Sequence, residues 1–114
     1  MNFCLKDMEF IAPIGTDNHE RQIGAKFKVT VEFSADCING AVSDDLSQTI
    51  DYQEVFDIVK AEMKKECQLV ENAVYRIYKA LEKRYPRLNA LKVRLAKQRP
   101  PVNGILTEAI IELP

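Results

Sequence analysis

Histidine occurs once in this chain, cysteine three times and tryptophan not at all. Cys4, Cys37 and Cys67 are widely spaced, odd in number and form no C-x-x-C pair. With His19 as the one imidazole, no Cys/His metal site can be assembled inside a single subunit. The cysteines read instead as buried free thiols in a reducing compartment. No apolar run approaches the roughly 20 residues needed to span a bilayer. Residues 1–7 lack the basic and apolar regions of a signal peptide, so a cytoplasmic location is expected. An excess of charge of either sign is also missing. Sixteen Lys and Arg against seventeen Asp and Glu leave a net charge of −1, which argues against a nucleic-acid or membrane-surface role. At 114 residues, 46% of them hydrophobic and 29% charged, the chain fits one globular domain, residues 1–114.

What is present is patterned. Residues 2–14 are rich in Phe, Leu, Met and Ile and stop near Pro13 and Gly15, which suits an opening strand. Thr16 to Gln22 is polar and turn-forming, with Asp17 and Asn18 beside Gly15. Phe27, Val29, Val31 and Phe33 then alternate with Lys26, Lys28, Thr30 and Glu32, the mark of a half-buried antiparallel strand. Residues 34–51 form a connection with room for one short helical turn. Val55, Phe56, Val59 and Met63 fall on one helical stripe, with Asp51 as N-cap and Glu54 at the acceptor position of a capping box. Ala73, Val74, Ile77, Tyr78 and Leu81 make a second stripe that must stop before Pro86. Leu91, Val93 and Leu95 alternate again, and Ile105 to Leu113 supplies a last strand beyond Pro100, Pro101, Asn103 and Gly104. The order ββααββ predicts an α+β fold with two antiparallel helices on one face of a four-stranded antiparallel sheet. Its edge strands suit pairing between subunits, so a homo-oligomer is expected.

Composition and periodicity stop there, and local strings go further. Phe10, Gly15 and Glu20 precede Ile23-Gly24-Ala25-Lys26-Phe27; Ser43-Asp44-Asp45 precedes Thr49-Ile50-Asp51-Tyr52-Gln53-Glu54-Val55; Leu69-Val70-Glu71 opens the second helix; and Val93-Arg94-Leu95-Ala96-Lys97 runs into Pro100-Pro101. In this order and spacing, over nearly the whole length, the chain resembles the dihydroneopterin aldolases. The resemblance implies the tunnelling fold, assembled into an oligomeric barrel as a tetrameric ring or octamer. It implies retro-aldol cleavage of 7,8-dihydroneopterin, a step of folate biosynthesis, giving 6-hydroxymethyl-7,8-dihydropterin and glycolaldehyde. The dihydropterin's own imine accepts the electrons, so no cofactor, metal ion or Schiff base is called for.

The residues themselves support this chemistry to different degrees. A pterin offers an amide N–H beside an exocyclic amino group, a two-donor edge that the Glu71 carboxylate can accept bidentately from the first turn of its helix. Without the family, Glu71 would read as a surface charge at a helix start. Lys97, at a strand end, would read as a solvated edge charge; if desolvated it could serve as the acid–base group for the side-chain hydroxyl. Tyr52 would otherwise be a core aromatic with a wet hydroxyl. The resemblance gives it a proton-relaying role, reached from a neighbouring subunit, and gives Glu20 a contact with the hydroxylated side chain. Val70 backbone and Asp51 join Glu71 as expected substrate-binding groups.

One departure stands out. Many family members carry histidine just before the glycine at Gly15, whereas here Ala12-Pro13-Ile14-Gly15 leaves Ile14 unable to take part in proton transfer. His19 reads as a loop residue. The rivals are an epimerase acting on dihydroneopterin or its triphosphate, which shares the bond-breaking step, and a non-catalytic pterin-binding protein.

Overall fold

The computed structural model describes residues 1–114. Four strands, β1 (Asn2–Ala12), β2 (Ala25–Ser34), β3 (Asn89–Gln98) and β4 (Glu108–Leu113), pair antiparallel in the order β1-β2-β3-β4. The alternation of β2 sends Phe27, Val29, Val31 and Phe33 to one buried face, and Leu91, Val93 and Leu95 of β3 lie beside them. Two helices cover that face. α3 (Tyr52–Met63) buries Val55, Val59 and Met63, and α4 (Val70–Arg84) buries Ala73, Val74, Ile77 and Leu81. Each Val, Ile, Leu or Met side chain among these taken out of water stabilises the fold by roughly 1.5–3 kcal/mol. Arg84 at the end of α4 pairs with Glu54 at the start of α3, while Arg76 donates to the Glu62 carbonyl at 2.7 Å, so the two helices run antiparallel.

The predicted ββααββ order and the four-stranded antiparallel sheet are therefore present, with two short helices added. α1 (Asn18–Ile23) forms within the stretch read as turn, because Asp17 accepts the His19 N–H and caps it. α2 (Ile38–Ser43) and a 3-10 turn (Leu46–Gln48) fill the connection before α3. Three local readings need correction. Glu54 does not complete a capping box; Asp51 caps α3 by accepting the Gln53 N–H at 2.9 Å, but the Glu54 carboxylate turns to Arg84. The last strand begins at Glu108 rather than Ile105, since Ile105 and Leu106 stay exposed in the loop. Of the three thiols only Cys37 is buried; Cys4 alternates out to solvent on edge strand β1 and Cys67 sits half-buried in the α3–α4 turn.

Candidate active site

Lys97 is in register with Phe27 on β2 and Ala109 on β4, in the row that also holds Phe10. Two-residue alternation from Leu91, Val93 and Leu95 brings its side chain to the helix-covered face of an interior strand, not to an edge. It is accordingly only 12% exposed, and its Nζ stands 6.0 Å from the Phe27 ring centroid. Nor is it a lone desolvated amine, because the ammonium donates to Oε1 of Glu20, whose side chain is 19% exposed.

Glu20 arrives there from α1, which buries none of its own side chains and depends on polar ties. Backbone bonds from Gly15 N–H to the Cys67 carbonyl (3.1 Å) and from Cys67 N–H to the Pro13 carbonyl (3.2 Å) dock the preceding loop on the α3–α4 turn. Ile14, between them, is fully buried in the core. Arg21 then spans the junction. It donates to the Gly15 carbonyl at 2.8 Å and to Glu66 at 2.9 Å. On the far side Arg76 ties the turn to α4, donating to Glu62, to Asn72 (2.7 Å) and to the Cys67 sulfur (3.3 Å).

Glu71 follows this turn directly, exposed in the first turn of α4 with no partner inside the chain. α4 starts without a side-chain cap, since Leu69 occupies that position, so the N–H groups of Val70 and Glu71 have no acceptor within the chain at the positive end of the helix. The Val70 side chain packs on the core. Lys97, Glu20, Val70 and Glu71 thus gather at one end of the molecule around the Gly15 to Cys67 docking point.

Tyr52 and Asp51 are not among them. Tyr52 is 69% exposed at the start of α3, a helix whose other end leads to the α3–α4 turn roughly 16 Å away. Beside it opens a groove of about 1180 Å3, lined by Asp51, Glu54, Arg84 and Tyr85 among others, and by none of Lys97, Glu20 or Glu71. His19 is exposed on α1. Gly15 and Arg21 also bear on the site: Gly15 belongs to the family string but had no role assigned, and Arg21 carried no signal in sequence beyond adjacency to Glu20, because its partner Glu66 lies 45 residues along the chain.

Residues 3–113 match the dihydroneopterin aldolase (FolB) family. The chain belongs to the dihydroneopterin aldolase family. Among curated relatives, the dihydroneopterin aldolase of Staphylococcus epidermidis is 34% identical over 102 residues, covering 88% of this chain and 84% of that protein. The enzyme of that name from Streptococcus pyogenes is 32% identical over 110 residues, covering 96% and 92%. In three dimensions the chain is similar to E. coli dihydroneopterin aldolase, solved in complex with neopterin, with a TM-score of 0.86 at 21% identity over 100% of this chain and 99% of that one. The fold is thereby that of the family, with the predicted strand and helix order.

Proposed function

We propose that this family member cleaves 7,8-dihydroneopterin with Lys97 and Glu20 acting as one proton couple and Glu71 holding the pterin. The observation that carries the reading is the direct Lys97 to Glu20 pairing in a half-buried site, next to a helix start whose carboxylate and backbone donors are unused. Glu71 accepts from the ring amide and exocyclic amine, and the open N–H groups near Val70 suit the adjacent ring carbonyl. Lys97 must release a proton before it can take one, and Glu20 is the acceptor already bonded to it. The couple then removes the side-chain hydroxyl proton. The neighbouring carbon–carbon bond breaks, glycolaldehyde leaves, and the electron pair enters the ring imine. Protonation of the resulting carbanion carbon gives 6-hydroxymethyl-7,8-dihydropterin, so atoms and charge balance without any added group.

Tyr52 lies too far along α3 to serve its own chain's couple, so the reading places it in a neighbour's site within a tetrameric ring or octamer, with Asp51 beside it. Unpaired edges on β1 and β4, and exposed Ile11, Ile105 and Ile110, support such an assembly. The cytoplasm, where a folate precursor would be made, is the proposed location. The test is to incubate the purified protein with 7,8-dihydroneopterin and assay glycolaldehyde. Pterin binding without turnover would sink the lyase reading, and an inverted side-chain carbon without glycolaldehyde would identify an epimerase.

A further inference from the structure

The Glu20 carboxylate rests against one group that takes no part in proton transfer, and a second holds that group in place. Gly15 is buried, and a β-carbon built on it would stand 2.6 Å from Glu20 Cδ and 2.7 Å from its Oε1. The carboxylate therefore rests on the bare α-carbon of Gly15. Arg21, next along α1, is only 14% exposed. It fixes the carbonyl of that same Gly15 and reaches Glu66 on the α3–α4 turn, with a further, longer contact to Asn18 at 3.4 Å. One guanidinium thus joins the loop under Glu20, the helix carrying Glu20 and the turn that precedes Glu71. Because α1 has no buried side chain of its own, these ties rather than apolar packing set where Glu20 stands.

We propose that Gly15 and Arg21 are positioning residues for the Lys97–Glu20 couple: Gly15 makes room for the carboxylate and Arg21 holds that room against the α3–α4 turn. The inference rests on the assignment of Lys97 and Glu20 as the proton couple. Gly15→Ala pushes the flexible end of Glu20 away while leaving backbone and core untouched. Arg21→Gln releases α1 from the docked loop and the α3–α4 turn with the space kept open, and Arg21→Lys, which retains a charge for Glu66 and one donor for Gly15, restores part of the loss. Displacement of a catalytic group by about 1 Å costs on the order of 100-fold in rate.

The experiment pairs kinetics with crystal structures of the unliganded variants. Gly15→Ala and Arg21→Gln are expected to lower kcat by about 10- to 100-fold, with pterin Kd within about twofold of the parent. Their structures should show Glu20 moved off Lys97. A melting temperature for Gly15→Ala close to the parent's separates this from a folding defect. The proposal is overturned if Glu20 stays on Lys97 in both variants, or if turnover is unchanged when it has moved. The structural comparison requires no activity. A parent protein that does not cleave dihydroneopterin would therefore defeat the aldolase reading, while the Lys97–Glu20 contact still decides the positioning claim.

Discussion

Replacing Ile14 with histidine installs the residue that the family resemblance leads one to expect before Gly15, and the structure predicts that the change is harmful. Ile14 is completely buried within the core, and its backbone is pinned by bonds from its own N–H to the Ala12 carbonyl (2.9 Å) and on either side to Cys67. The side chain is enclosed in the core that this docking closes. Ile14→His forfeits the burial of a large aliphatic group, worth roughly 1.5–3 kcal/mol. It also leaves imidazole nitrogens among apolar neighbours, which costs about 1–3 kcal/mol more. For a chain of this size the combined effect corresponds to a fall of at least about 10 °C in melting temperature. A buried imidazole resists charging, so its pKa in the folded state falls below the unfolded value of about 6.5. The unfolded state then binds more protons than the folded one, and the deficit grows as pH falls below about 6.5. Circular dichroism melts of parent and variant from pH 8 to pH 5 read both effects, at equal protomer concentration because assembly shifts apparent stability. A variant melting within about 2 °C of the parent at every pH would refute the reasoning, since it would show position 14 open to the site rather than part of the core.

Gly40→Ala sets a β-carbon 2.6 Å from the backbone oxygen of Gln48, which cannot rotate away. Denaturant unfolding should show a loss of about 1–3 kcal/mol, confined to the connection before α3. The Tyr85 hydroxyl is buried without a hydrogen-bond partner, and burial first, with the Glu54 carboxylate beside it, pushes its pKa up to about 12. The folded state therefore keeps that proton after the unfolded chain has lost it. Its contribution is complete below pH 10 and lost between about 10 and 12, so Tyr85→Phe should flatten the alkaline fall in stability over that window. Where sites are shared, Tyr52→Phe and Lys97→Met subunits, each nearly inactive alone, should regain roughly a quarter of parental turnover when co-assembled in equal amounts. A mixture no more active than its better component would show that Tyr52 and Lys97 do not meet between subunits.

The sheet and the two long helices were legible because each has one buried face and one exposed face, so residue periodicity records the core directly. α1 escaped that reading because it buries nothing: a six-residue helix capped by Asp17 has no stripe to reveal it. Glu54 misled for a related reason. A capping box is a local arrangement, whereas the Arg84 that takes the Glu54 carboxylate is brought close only when the helices pack. Alternation also implied more about Lys97 than its place at a strand end suggested. Continuing the Leu91, Val93, Leu95 rhythm by two residues brings Lys97 to the helix-covered face. What no rhythm contains is its partner, since Glu20 lies 77 residues earlier and meets it through the docking of Gly15 on Cys67.

That docking separates two kinds of group at the candidate site. Glu71 is exposed and unpaired, held by a helix whose position comes from core packing of Ala73, Val74 and Ile77. Glu20 and Lys97 are paired and largely enclosed, and Glu20 is held by polar contacts on a helix with no core side chain. The proposed binding group is thus anchored to the rigid part of the fold, as is Lys97 on its interior strand, whereas the Glu20 half of the proposed couple stands on a part that a few hydrogen bonds keep in place. Such polar-tied segments open at lower free energy than the core does. Mild denaturant, well below the unfolding midpoint, should therefore depress turnover before it depresses pterin affinity. If activity and affinity instead declined together with global unfolding, α1 would have to be as stable as the sheet, and the division between the two halves of the site would be wrong.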